Sequence, residues 1–194
     1  LKLSKEENST SIAEGGIDPG CFIRIADLLL TYEFFDRNLT DQDESFVPLS
    51  LELAGKLTKE LLEYTDDKGG FKEDINAGPE DDYRLAAVLA KLSFDYSGID
   101  TDASKEWKNR GANAFKKAEE SDSGGSSRYW AACELYKLTG EKGYRRIAEE
   151  EALKEIPEGF CEAETGDLGS IAYLTCDGRI DRELSDKLIG SILE

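Results

Sequence analysis

The segment from Trp130 to Ala152, WAACELYKLTGEKGYRRIAEEEA, predicts two helices joined by a tight turn. Gly140 occupies the position where a left-handed residue ends a helix, and Gly143 helps to reverse the chain. Apolar residues recur at helical spacing on each side of the turn: Ala131, Leu135 and Leu138 before it, and Tyr144, Ile147, Ala148 and Ala152 after it. A hairpin cannot bury two apolar stripes by itself, so this one needs neighbours of the same kind.

The rest of the chain supplies such neighbours. Helical periodicity recurs in six further segments, and no alternation of apolar and polar residues persists for more than a few positions. The segments are Cys21–Asp36, Leu49–Tyr64, a helix through Leu85 and Tyr96 after a loop at Phe71–Asp82, a helix through Trp107 and Ala118, Asp167–Thr175, and Asp181–Leu193. We therefore predict an all-α chain of about eight helices stacked as antiparallel pairs. Residues 1–20 are predicted to be an irregular N-terminal segment, and residues 21–194 one helical domain.

The net charge of the chain limits the classes of partner that it is expected to bind. It carries 42 acidic and 24 basic residues, a net charge of −18. Such a surface repels nucleic-acid phosphates and anionic membranes, so neither is an expected partner. No apolar run reaches the roughly 18 residues that a transmembrane helix requires. The polar N-terminus lacks the apolar core of a signal peptide, as a mature secreted chain also would.

Histidine is absent from the 194 residues, which excludes Ser-His-Asp and Cys-His catalysis and His-ligated zinc. The four cysteines form no C-x-x-C pair. Cys133 is predicted to pack as a small apolar residue. Cys161 and Cys176 flank a helix, and they either pair in an oxidising compartment or remain buried free thiols.

Five stretches together resemble glycoside hydrolase family 9, the endoglucanases built on an (α/α)6 barrel. WAACELYKLTGEKGY is similar to that family's Trp-Ala-Ala-x-Glu-Leu-Tyr, Thr-Gly and Tyr pattern. GDLGSIAYLTCDGRID is similar to its Gly-Asp, Leu-Gly, Ala-Tyr-Leu helix, and YRLAAVLAKLS, ADLLLTYEFF and DDKGGF fit other parts in the right order. The similarity spans roughly residues 15–193.

This resemblance implies a toroid of antiparallel helical hairpins of the (α/α)6 type, of which the chain covers a part. The family fold has twelve helices and the sequence predicts about eight, so the chain resembles the first two-thirds of a barrel or a reduced relative. The resemblance implies hydrolysis of β-1,4-glucosidic bonds in cellulose or related glucans with inversion, a polysaccharide or oligosaccharide substrate, and secretion. The family's proton-donating Glu lies beyond the matched part.

The motif GGIDPGCF carries the catalytic hypothesis. An inverting glycosidase needs two carboxyl groups roughly 6.5–9.5 Å apart, a base for water and an acid for the leaving oxygen. Asp18 matches the first Asp of the family's Asp-Ala-Gly-Asp motif, and Cys21 stands where its second Asp, the expected base, would be. A thiol titrates about four units above a carboxyl. The alternative is that Asp18 is a turn residue that caps the helix beginning at Cys21.

Sugar binding is predicted at aromatic residues near helix ends, because sugar faces stack on flat apolar rings. We assign this role to Tyr129 and Tyr173, and a core position to Trp107 and Trp130. Asp74, Asp81 and Asp82 could face a cleft, with a solvated loop as the default. Asn8 and Asn38 match the N-glycosylation pattern.

No cofactor and no metal are predicted. Many family members bind calcium through acidic residues just before the Trp-Ala-Ala helix, and those positions here hold Ser126 and Ser127. Hydroxyls alone are weak ligands for a hard cation, and Asp122 is the nearest carboxylate.

Two other classes remain open. The chain could be a non-catalytic helical-repeat module that binds a carbohydrate or a protein. It could also be another (α/α) barrel enzyme that acts on uronic-acid oligosaccharides.

Overall fold

A computed structural model describes residues 12–13, 16–37, 47–121, 124–152, 154 and 165–193. Across these residues there are eight α-helices: α1 Gly20–Thr31, α2 Leu49–Leu62, α3 Pro79–Tyr96, α4 Thr101–Glu119, α5 Ser126–Thr139, α6 Lys142–Ala152, α7 Thr165–Leu174 and α8 Arg182–Leu193. A π-helical turn, Tyr32–Asp36, continues α1. The only described strands are β1 Ile12–Ala13 and β2 Gly16–Ile17, which pair antiparallel.

Consecutive helices form antiparallel hairpins. At one end of α3 the Tyr83 hydroxyl donates to Glu119, near the end of α4, across 2.6 Å. Arg128 at the start of α5 donates to Glu151 at the end of α6 across 2.5 Å. α2 packs on α1 as well, so α2, α4 and α6 each cover the odd-numbered helix before them. The all-α prediction of paired antiparallel helices is confirmed.

The odd-numbered helices form an inner layer and run in one direction. α3 lies between α1 and α5, and α5 lies between α3 and α7. The Thr165 hydroxyl donates to Ser126 Oγ across 2.8 Å where α7 and α5 begin. The Lys137 ammonium donates to Thr175 Oγ1 across 2.9 Å where the same two helices end. Helices α1, α3, α5 and α7 therefore present their N-termini at one end of the molecule and their C-termini at the other.

Helix α5 is the central element, and it is buried on almost every side. All eight residues from Tyr129 to Tyr136 are buried, because α3, α6 and α7 pack around the helix. The prediction of a single apolar stripe on this helix is therefore wrong. Its partner α6 does have one buried face, centred on Ala148 and Ala152. Trp107 and Trp130 lie in the core as predicted, and Cys133 packs there too.

Local signals set the helix boundaries. Gly140 ends α5 in the left-handed conformation at φ 69°, as predicted. Helix α3 begins at Pro79, inside the segment that we predicted to be a loop up to Asp82. The reason is that proline at the first helical position fits the fixed φ, and Asp81 accepts a hydrogen bond from the Gly78 amide at 3.0 Å. Helix α5 likewise begins at Ser126, four residues before the Trp130 from which we predicted it.

Asp100 caps α4, and its removal gives a first test of the fold. Its Oδ1 accepts from the amides of Asp102 and Ala103 at 3.1 and 3.0 Å. We expect Asp100→Ala to lower the free energy of unfolding by about 1 kcal/mol, because two amides of the first turn lose their acceptor. Urea unfolding measures this. Asp100→Asn should restore most of the loss, and an unchanged midpoint for the alanine variant would contradict the capping role.

Within the described residues, no helix is both long and apolar enough to cross a lipid bilayer.

Candidate functional site

A cavity of about 480 Å³ lies at the end of the molecule where the four inner helices begin. Its walls come from the starts of α1, α3, α5 and α7, so the positive ends of four helix dipoles surround it. The lining residues are Pro19, Gly20, Ile23, Arg24, Arg84, Ser126 and Thr165. This mixture of apolar surface, guanidinium groups and hydroxyls suits a polar organic ligand.

Asp18 lies at the edge of this cavity, directly before Pro19. Its Oδ1 accepts a hydrogen bond from the Gly20 amide at 3.0 Å, and its Oδ2 accepts one from Arg24 Nη2 at 3.0 Å. The Asp18 carbonyl also accepts from the Cys21 amide at 3.0 Å. The carboxylate therefore takes part in the start of α1, as the turn interpretation expects, and its side chain is still 44% exposed.

Cys21 cannot replace a carboxylate base at this site. Its side chain is buried, and burial, together with the nearby charge of Asp18, raises the pKa of the thiol to about 12. The thiol is therefore protonated at neutral pH. A second reacting carboxylate would have to come from another position.

The second wall of the cavity is organised around Arg84. Its two terminal nitrogens donate to Asp81 Oδ1 at 2.8 Å and to Glu80 Oε2 at 3.0 Å. These contacts hold the guanidinium against the first turn of α3. Asp82 points away into the protein, where its Oδ1 accepts from the Phe71 amide at 2.9 Å, and burial raises its pKa. Asp74 is exposed on the preceding loop.

The start of α5 is held by Glu151. One oxygen of this carboxylate accepts from the Gly125 amide at 3.3 Å, and the other accepts from Arg128. Gly125 has φ 105°, a conformation that glycine adopts without strain. These contacts position Ser126 at the cavity wall, where its Oγ accepts from Thr165.

The two serines that the resemblance aligns with calcium-binding positions lie in different environments. Ser126 faces the cavity and Ser127 is buried. In the part of the chain that the structure describes, no three acidic, Cys or His side chains are grouped as metal ligands. Asp122 lies outside the described residues.

The two tyrosines predicted to bind sugar lie in the core. Tyr129 is 3% exposed and its ring contacts the α7 backbone near Gly169, while Tyr173 is fully buried. The Tyr173 hydroxyl donates to Glu149 at 3.0 Å and accepts from the Asp181 amide at 2.8 Å. Neither ring presents an open face, so the structure does not bring them together with Asp18 in one site.

Three further predictions fall outside the described residues. These are the glycosylation patterns at Asn8 and Asn38, and the thiol of Cys161. Its candidate partner Cys176 is a partly buried free thiol, whose pKa is raised by burial.

Arg24, Arg84 and Thr165 line the cavity and were not predicted as site residues. Each one lies within the first two turns of an inner helix. The sequence signal that could have identified them is their position at the start of a helical pattern. That signal becomes useful only when the inner helices are known to run in parallel, because their first turns then meet at one end.

The fold is similar to that of solved endoglucanases. A metagenome-derived glycoside hydrolase family 9 endoglucanase superposes with a TM-score of 0.75 at 18% identity, covering 90% of this chain and 41% of that one. A thermostable endoglucanase (D468A) from Alicyclobacillus acidocaldarius gives 0.74 at 18%, covering 89% and 42%. A family 9 protein of Bacteroides ovatus gives 0.73 at 19%, covering 90% and 43%.

No protein-family model matches the chain, and no curated protein matches it. The chain spans about two-fifths of the length of the solved structures that it resembles, 41–43% for these three. This share is smaller than the two-thirds expected from the number of helices. The resemblance predicted from the sequence is confirmed at the level of the fold: the described residues have the helical architecture of glycoside hydrolase family 9 endoglucanases, over part of its length.

Proposed function

We propose that this chain is the part of a family 9-like glycoside hydrolase that contains the substrate-binding cavity, and that the enzyme cleaves β-1,4-glucosidic bonds with inversion. The observation that supports this most strongly is the cavity around which the N-termini of the inner helices lie, with Asp18 directly before its lining residue Pro19. AaCel9A, which has a similar fold, was solved in complex with cellobiose-like isofagomine. The substrate that we propose is therefore a cello-oligosaccharide or a related soluble glucan.

In this proposal Asp18 is the carboxylate of this chain that acts at the sugar. Arg24 holds one of its oxygens and the α1 backbone holds the other, so its position is constrained before a ligand arrives. Inversion requires a second carboxyl group roughly 6.5–9.5 Å away. Because Cys21 is a buried thiol, that group would have to come from a position other than Cys21.

In this proposal the enzyme acts outside the cell, and its partners do not include nucleic acids or anionic membranes. Secretion follows from the resemblance to cellulases. The net charge of −18 disfavours nucleic acid and anionic membranes as partners.

A non-catalytic carbohydrate-binding module is the second candidate. The pairing of Asp18 with Arg24 favours it, because a carboxylate that already accepts two hydrogen bonds has less capacity to activate water. In that case the cavity would bind a cello-oligosaccharide without cleaving it.

Asp18→Asn tests the proposed role. We expect the protein at its natural length to release reducing sugar from carboxymethyl-cellulose, and the variant to be slower by about tenfold or more, equivalent to about 1.4 kcal/mol. The reason is that an amide cannot carry the negative charge that the reaction needs near the developing positive charge on the sugar. The matched control is Asp102→Asn, a fully exposed carboxylate at the opposite end of the molecule, which should leave the rate unchanged.

Equal rates for the Asp18 variant and the parent protein would exclude Asp18 from the site. Calorimetry with cellotetraose separates the two candidates. Heat of binding without release of reducing sugar supports the binding module, and neither heat nor release would contradict both.

A further inference from the structure

Five charged side chains meet in the interior at the end of the inner layer opposite the cavity. Glu33 comes from the π-helical turn, Lys91 and Asp95 from α3, and Glu134 and Lys137 from α5. We call these five residues the buried charge cluster. Each side chain is at least about nine-tenths buried, and that of Asp95 is only 1% exposed.

Glu33 joins the helices at this end. Its two oxygens accept hydrogen bonds from Lys91 Nζ and Lys137 Nζ. The Lys137 ammonium also donates to Thr175 Oγ1 at 2.9 Å, immediately after α7. One carboxylate therefore connects the end of α1 to α3 and α5, and through Lys137 to the end of α7.

The charges in the cluster do not balance. Three carboxylates face two ammonium groups, and Glu33 already holds both ammonium groups. Glu134 accepts from Trp130 Nε1 at 3.2 Å. Among the described residues, neither oxygen of Asp95 has a hydrogen-bond partner, and its nearest cation is Lys91, with Nζ 3.6 Å from Oδ2. A buried carboxylate that lacks a matched cation retains a proton to a higher pH than an exposed one.

We propose that the buried charge cluster is a proton-dependent lock on the inner layer: a proton on Asp95 leaves Lys91 bound to Glu33, and loss of that proton draws Lys91 towards Asp95 and loosens the π-helical turn, whose Glu33 then keeps Lys137 alone. The two carboxylates compete for one ammonium because both lie beside it. At its ends the turn is held by the buried Tyr32 and by Asp36, which accepts from Ser50 Oγ at 2.6 Å. Between them, Phe34 and Phe35 are 53% and 76% exposed, so Glu33 is the anchor of the middle of the turn.

The direction of the pH effect follows from the surroundings of Asp95. Burial, and then the negative charges of Glu33 and Glu134, raise its pKa to about 7, against the opposite influence of Lys91 and Lys137. Between the ordinary value of 3.8 and about 7, the folded chain therefore binds one more proton than the unfolded chain. The stabilisation by this group is present at low pH and is lost as the pH rises towards 7.

Unfolding and amide exchange between pH 5 and 7.5 test the lock on the full chain. We expect the unfolding equilibrium constant to rise by up to about tenfold per pH unit through the Asp95 contribution. Amide exchange of residues 32–36, corrected for the intrinsic pH dependence of exchange, should accelerate over the same range. The chain has no histidine, so the residue that ordinarily titrates in this window is absent.

Asp95→Asn should remove both effects, because the amide cannot ionise. Asp102→Asn is the control and should retain both. The pKa of Asp82 is also raised by burial. Its contribution to the pH dependence of unfolding is common to the parent and Asp95→Asn, so it cancels when the two proteins are compared. The proposal is overturned if Asp95→Asn retains the pH-dependent exchange of residues 32–36, or if that exchange is independent of pH in the parent.

Glu134→Gln provides a second test that does not depend on the folding of the first variant. Removing a negative neighbour should shift the midpoint of the pH-dependent exchange to lower pH. An unmoved midpoint would contradict the coupling of these carboxylates.

Discussion

Replacing Lys91 by methionine should lower the free energy of unfolding at pH 7 by about 3–5 kcal/mol, the usual cost of removing one partner from a buried ion pair. Methionine matches much of the lysine side-chain volume, so the loss is electrostatic rather than a packing defect. Glu33 would keep one of its two cations, and Asp95 and Glu134 would lose the positive charge that acts on them most strongly. Urea unfolding monitored by circular dichroism measures the change.

Lys105→Met is the matched control for this experiment. Lys105 is 69% exposed and pairs with Asp102 at 3.7 Å on the surface of α4. An exposed pair of this kind contributes about 0–1 kcal/mol, so the control should unfold almost as the parent does. A loss of less than about 1 kcal/mol for Lys91→Met would show that the carboxylates do not depend on this cation.

Gly169→Ala should destabilise the protein by about 1–3 kcal/mol, although alanine is the better helix former. A Cβ at this position would lie 2.7 Å from Tyr129 Cδ1 and 3.1 Å from the Cα of Trp130. The Tyr129 ring is buried, so it cannot turn aside into solvent. Glycine here lets α7 approach α5 closely, and any side chain would push the two inner helices apart.

Gly190→Ala, the same substitution at another helical glycine, is expected to have the opposite effect. Gly190 lies in α8, and among the described residues a Cβ there would meet no atom within 4 Å. We expect a gain of about 0.5–1 kcal/mol from helix propensity alone. Thermal unfolding of both variants measures the difference, and a stabilised Gly169→Ala would show that α5 and α7 are not in close contact.

The site illustrates a limit of local patterns. GGIDPG singles out Asp18 as a candidate, and in the structure Asp18 directly precedes Pro19, which lines the cavity. Tyr129 and Tyr173 were chosen because they lie near predicted helix ends, and both are buried. Periodicity indicates that a helix has an apolar face, but it does not say how many neighbours surround the helix. Only the position of α5 and α7 in the inner layer explains why these rings are covered.

The sequence by itself determined the helices, their order and several of their ends, because these depend on residues a few positions apart. Gly140 ends α5 where the sequence predicted. Pro79 and Asp100 also act through backbone conformation and local hydrogen bonds, although the start of α3 at Pro79 was predicted to be a loop. The tertiary structure alone decided which charged residues are buried and what lines the cavity. Glu33 and Lys137 are separated by 104 positions and share one hydrogen bond in the interior. Local spacing would place both on solvated faces, since the burial of a charge depends on the partners that distant helices bring to it.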